Sequence, residues 1–166
     1  MRRSLTILLL VSLPATALGM PWKGITPGKS TEKDVIEAFG EPAGKVPSGK
    51  KRLLVYKADR TISGTTQAQF AIGEKGVVEE ITLFPATQLE LPEIEDTFGK
   101  ACSEQEKPTQ PCYRRVLTED FRTSLWYKEA GLVVFLNPDK KTVFGLLYRE
   151  PVVESVRKAT AAAGAK

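Results

Sequence analysis

The sequence predicts an α+β fold: a tandem repeat of two units, each a short helical segment packed on an antiparallel β-meander. Three observations carry that expectation. VIEAFG around Val35 returns as IEDTFG around Ile94. Phe70 and Val78 flank Gly-Glu-Lys-Gly, and Phe135 and Val143 flank Pro-Asp-Lys-Lys at the same separation. Each helix signature precedes its hairpin in the same order, and a repeat of that kind fixes architecture before any residue chemistry is considered.

In the first unit, residues 20–86, a Gly- and Pro-rich lead-in reaches Thr31, where a helix is expected to start. Asp34 lies three residues on, so the pair reads as a capping box with Asp in place of Glu. Val35 and Phe39 share a face, Gly40 suits a left-handed cap, and Pro42 prevents continuation. Pro47 and Gly49 mark residues 45–51 as a turn, and residues 52–57 read as a strand. Residues 67–72 and 77–84 read as a hairpin around Gly73 and Gly76. Alternation there sets Glu79, Ile81 and Leu83 on one face and Val78, Glu80 and Phe84 on the other, so the two glutamates should not converge.

In the second unit, residues 87–151, Pro92 is expected at the first helical position. Ile94, Phe98 and Gly99 repeat the spacing of Val35, Phe39 and Gly40. Strands are expected over 113–117, 123–128, 132–137 and 142–149, with a turn at 138–141. Aligned without a gap at an offset of 65, Phe70 falls on Phe135, Val78 on Val143, Ile81 on Leu146 and Leu83 on Tyr148. Helical positions align at 59, and the difference of six is an inserted loop with two cysteines.

Residues 1–19 read as a signal peptide: Arg2 and Arg3, an apolar run over 5–13 too short to span a bilayer, then Ala17-Leu18-Gly19. A retained membrane anchor is the competing reading. No Cys follows the run, so no lipid anchor is expected, and the mature chain is expected to be periplasmic or secreted. Losing Arg2 and Arg3 takes the formal charge from +4 to +2. No basic run is interleaved with aromatics, so nucleic acid is not an expected partner. Cys102 and Cys112 are the two cysteines, in one polar loop. In an exported chain they are expected to form a disulfide; a redox pair lacks the Cys-x-x-Cys spacing, and a metal site lacks further ligands. Residues 152–166 are expected to be a C-terminal tail, with a last helical turn over 152–158 and an Ala- and Gly-rich end over 160–166 that frays.

The chain contains no His, which removes the usual general base and every Ser/His or Cys/His constellation. Carboxylates at Glu93, Glu95 and Asp96 are explained by the positive end of a helix dipole. No enzyme, cofactor or metal is therefore expected. The stronger lead is aromatic. Trp126 and Tyr127 are consecutive on a strand, so one must leave the face beneath the helix. Candidate contacts are Tyr56, Trp126, Tyr127 and Arg122, with Arg149 at the margin, since exposed aromatics and arginines make binding hot spots.

Ile25, Gly28, Ser30, Val35, Phe39, Gly40, Pro42, Tyr56, Phe70, Gly76 and Val77 form an ordered set across residues 25–84. In that order they resemble the SmpA/OmlA family of small lipoproteins of the outer-membrane β-barrel assembly machinery. Two such units in tandem look like the β-lactamase-inhibitor-protein fold. The resemblance implies a binding module with two helix-capped four-stranded sheets forming a concave face, and no catalytic residues. This chain departs from the lipoproteins in lacking the lipid-attachment Cys and in carrying a second unit. The expected function is an exported, non-catalytic binding protein for a protein or peptide of the cell envelope. The alternative is an envelope structural factor working beside outer-membrane protein assembly.

Overall fold

A computed structural model of the protein describes residues 19–57, 62–103, 111–118 and 122–152. The expected signal segment up to residue 18 and the tail from residue 153 lie outside the described residues. Among the described residues, no helix is long and apolar enough to cross a membrane.

In chain order the elements are α1 (Glu32–Phe39), β1 (Gly44–Ser48), β2 (Lys51–Lys57), β3 (Thr65–Ile72), β4 (Val78–Pro85), α2 (Leu91–Phe98), β5 (Arg114–Leu117), β6 (Thr123–Tyr127), β7 (Leu132–Leu136) and β8 (Val143–Arg149). The chain is α+β, with one eight-stranded antiparallel sheet in the order β1-β2-β3-β4-β8-β7-β6-β5. The expectation of two separate sheets is corrected. β4 and β8 join edge to edge, with Ile81 opposite Tyr148, Thr82 opposite Leu147 and Leu83 opposite Leu146. The seam buries both would-be edges.

Each helix forms where its capping chemistry starts it. Thr31 Oγ1 accepts from the Asp34 N–H at 3.3 Å, and the Asp34 carboxylate accepts the Thr31 N–H at 2.7 Å. At α2 the Glu90 N–H donates to the Glu93 carboxylate at 2.7 Å. The helix begins at Leu91, so Pro92 takes the second position and not the first. Eight residues cannot hold a helix alone in water, and both helices are tied to the nearest hairpin. The Glu32 N–H bonds the Gly76 carbonyl at 3.1 Å, and the Leu91 N–H bonds the Lys141 carbonyl at 2.7 Å.

Both helices pack on the same face of the sheet. One row across it reads Leu54, Phe70, Ile81, Tyr148, Leu132, Tyr127, and the next reads Tyr56, Ala68, Leu83, Leu146, Val134, Leu125. All twelve are buried. Over the first half Phe39 stacks on Phe70 with centroids 5.5 Å apart, and Trp22 closes the cluster from outside. Over the second half Phe98 lies 5.9 Å from Tyr127 and Tyr113 lies 5.5 Å from it.

Three local expectations are corrected. Residues 44–48 are strand β1, where a turn was expected over 45–51; an edge strand tolerates Pro47 because no neighbour needs its missing N–H. Phe70 is not the counterpart of Phe135. Phe70 pairs with Ile81 and Val134 pairs with Leu146, so Val134 takes the matching place and Phe135 turns to the other face. Glu79 and Glu80 do converge. Ala71 opposes Glu80 while Ile72 opposes Val78, so Glu79 is the extra residue of a β-bulge. Lys51 Nζ then sits 3.1 Å from Glu79 and 3.2 Å from Glu80.

Candidate functional site: the helix-free face

Period-2 alternation sends every second strand residue away from the helices. The central row on that outer face reads Val55, Gln69, Thr82, Leu147, Val133, Trp126, Arg114. The flanking rows add Leu53, Ala71, Glu80 and Arg149 on one side, and Phe84, Phe135, Ser124 and Val116 on the other. The first half of this face is mixed, with Gln67 and Gln69 among aliphatics. The second half carries Trp126, Phe135 and Phe144, and Phe84 of the first half meets Phe144 across the seam.

Consecutive Trp126 and Tyr127 are separated as strand geometry requires. Tyr127 faces the helices and Trp126 the outer surface. Tyr127 is 1% exposed, and its hydroxyl donates to the Gly99 carbonyl at 2.8 Å. Tyr56 is 2% exposed and donates to the Gly40 carbonyl at 2.8 Å. The expectation that these two tyrosines contact a partner is therefore corrected: each spends its ring on the core and its hydroxyl on a helix exit. Their acidities agree. Burial, with Glu41 and Glu32 nearby, pushes the Tyr56 hydroxyl up to about 12. Burial, with Tyr113 and Glu95 nearby, raises Tyr127 as well.

Trp126 is half-buried. Its indole N–H donates to Ser124 Oγ at 2.9 Å, and Ser124 in turn donates to the Val116 carbonyl at 3.2 Å. The chain of bonds fixes the ring. The Arg149 guanidinium lies over that ring, 5.1 Å from its centroid, a cation–π arrangement. Arg122 belongs to a different pair, its guanidinium 4.5 Å from the Phe144 centroid. Phe144 meets Phe84 edge-on at 5.5 Å. A cavity of about 400 Å³ lined by Arg122, Thr123, Leu136, Asn137, Pro138, Lys140 and Phe144 opens beside this pair.

The structure thus brings Trp126 and Arg149 together and sets Arg122 with Phe144. Phe144, 40% exposed, was missed from sequence because it is a bulge residue: Phe135 opposes Gly145 while Leu136 opposes Val143. Phe135 was missed because the gapless alignment made it a core residue. A Cβ at Gly145 would fall 3.1 Å from the Leu83 carbonyl oxygen but only in ordinary contact, 3.7 Å, with the Phe84 ring, so it is the neighbouring backbone that approaches the bare glycine closely.

Cys102 and Cys112 form a disulfide. It closes the loop that leaves α2 and places Lys100–Cys102 beside Tyr113. The Tyr113 N–H bonds the Lys100 carbonyl at 3.1 Å, and the Cys102 N–H bonds the Tyr113 carbonyl at 2.9 Å.

No family model matches the chain, and no curated protein matches it. Among solved structures it is similar to a DUF4309 family protein, YjgB, from Bacillus subtilis, with a TM-score of 0.53 and 19% identity over 80% of this chain and 87% of that one. That likeness shows the fold alone. An extracellular protein containing an SCP domain from Bacillus anthracis aligns with a TM-score of 0.48 and 14% identity. The alignment spans 73% of this chain and 43% of that protein, too loosely to bear an argument.

Proposed function

We propose that this chain is an exported, non-catalytic binding protein that recognises a protein or peptide of the cell envelope through the helix-free face of its sheet. One observation carries the reading. The second half of that face holds a Trp fixed by its own hydrogen-bond chain and covered by Arg149 at 5.1 Å, flanked by half-buried Phe135 and Leu147. A rigid aromatic beside an arginine loses little entropy on contact, which is why such pairs dominate binding energies. The disulfide supports an exported setting.

The same proposal includes descent from one duplicated module of the SmpA/OmlA kind. The seam supports it. At an offset of 65, Ile81 corresponds to Leu146 and Leu83 to Tyr148, and Ile81 pairs with Tyr148 while Leu83 pairs with Leu146. Two copies related by a half-turn would meet in that reciprocal way. The matched tyrosine-to-glycine bonds, Tyr56 to Gly40 and Tyr127 to Gly99, support it too.

The test is affinity capture from envelope extract with the wild-type chain, a Trp126→Ala/Arg149→Ala variant and a Tyr127→Phe control. Loss of captured protein in the first variant, at unchanged melting temperature, is expected. Identical capture by all three chains would end the proposal.

A further inference from the structure

The two outer edges of the sheet differ. The β1 edge is blunted by Pro47, and its Lys45 is tied to Glu32 at 3.3 Å. β5 has no proline. At its start the edge is already used, because the Tyr113 N–H and carbonyl both bond the Lys100–Cys102 run. These groups therefore point away from β6. The two-residue period of a strand sends the N–H and carbonyl of Arg115 and Leu117 the same way. On the other side, the Thr118 N–H returns to the Arg122 carbonyl at 2.8 Å, as that phase requires. Leu117 is 63% exposed.

We propose that this edge of β5 is a docking site for an extended acidic segment of a partner protein, which adds to the sheet as a further strand. Main-chain bonds to Arg115 and Leu117 would hold the segment, as in other β-strand additions. Charge selects the occupant. Arg114 and Arg115 are exposed on the strand and Lys100 is exposed at its near end. The Tyr113 hydroxyl donates to the Glu95 carboxylate at 2.6 Å with Arg115 close to it, which leaves Arg114 as the principal charged contact. A second copy of this chain would bring one arginine pair against another on the same short edge, and like charges oppose such pairing. Arg114 stands opposite Trp126 on the helix-free face, but the main-chain bonds of this site use edge backbone and not the Trp126 ring.

The probe is a short fluorescent peptide of alternating glutamate and valine, followed by anisotropy at low salt. Expected results are saturable binding, a loss of about tenfold in Arg114→Glu, and loss of binding in Leu117→Pro. Proline there removes an N–H that faces away from β6, so the β5–β6 ladder is retained. Trp126→Ala should bind the peptide as the wild type does, which separates this site from the face. A peptide N-methylated at alternate amides, one methyl register at a time, tests the same bonds without altering the protein. One of the two registers should fail to bind. Equal binding of both methylated registers, or of a lysine–valine peptide, would overturn the proposal. So would a dimer that Leu117→Pro converts to monomer while the acidic peptide leaves it intact.

Discussion

Replacing Tyr127 by Phe tests whether the two buried tyrosines are structural. The ring contacts with Phe98 and Tyr113 survive the change; what disappears is the 2.8 Å bond to the Gly99 carbonyl. Losing one such bond, and leaving its acceptor partly unpaired in a half-buried site, costs about 1.5 kcal/mol. Gly40 is exposed, so water replaces part of the bond lost in Tyr56→Phe, and about 1 kcal/mol is expected there. β2 and β6 are five ladder steps apart in the sheet, or roughly 24 Å at normal strand spacing. At that separation the two effects should add to about 2.5 kcal/mol. For a chain of this size that lowers Tm by about 5–8 °C. Urea denaturation followed by circular dichroism measures both singles and the double, with an unchanged m-value as the sign that only stability moved. Single costs below about 0.5 kcal/mol would show that the hydroxyls do not hold the helix exits. Stable variants that no longer capture a partner would return the tyrosines to the binding surface.

Alkaline pH probes the same groups. Tyr56 is held up to about 12, and Tyr127, Tyr113 and Tyr148 are raised, all chiefly by burial. An unfolded tyrosine ionises near 10, so this stability is full below that pH and declines as pH climbs towards the folded values. The urea midpoint should fall from pH 9 to 11.5, less steeply in Tyr127→Phe. At the acid end, the backbone and hydroxyl bonds from Thr31 hold Asp34 below the usual carboxylate range. Its contribution is present above the unfolded value and lost as pH drops through the folded one, so Asp34→Asn should flatten the acid limb of the same profile. Replacing Cys102 and Cys112 together by Ser opens a loop with a sequence separation of 10, which should lower stability by about 3 kcal/mol. Reduction of the wild type with dithiothreitol should reproduce that loss in a thermal melt.

What was legible in the sequence was local. Thr31 with Asp34, Gly40 with Pro42, and the glycine-bearing hairpin at 73–76 all act within a few residues, and both helices and most strands followed from such signals. The strand-to-strand seam was not legible, because pairing Ile81 with Tyr148 is a matter of tertiary fit. β1 was hidden because turn residues are cheap on an edge. In the candidate site, alternation required Trp126 and Tyr127 to part, but which of them faced the helices depended on where the helices docked. The bulges were invisible for another reason: one extra residue leaves composition and periodicity nearly unchanged while reversing the face of everything beyond it.

Those two bulges also explain why the two ends of the outer face differ in chemistry. Both arise in the last hairpin of a half, and at the offset of 65 the extra residues correspond: Glu79 in β4 and Phe144 in β8. A bulge frees one side chain from the ladder and re-aims it. In the first half that freedom goes to a carboxylate, which joins Glu80 on Lys51, so both carboxylates already share one ammonium and the cluster keeps a net charge of −1. In the second half it goes to an aromatic ring, which meets Phe84 and lies beneath Arg122. A charge cluster satisfied within the chain gains little from a partner, since any new contact must first displace an existing one. A ring 40% exposed beside a guanidinium still has apolar surface to bury. Exchanging the two, Glu79→Phe with Phe144→Glu, should therefore abolish capture at the second half. Capture unchanged by the exchange would mean that recognition does not run through the bulged aromatic end of the sheet.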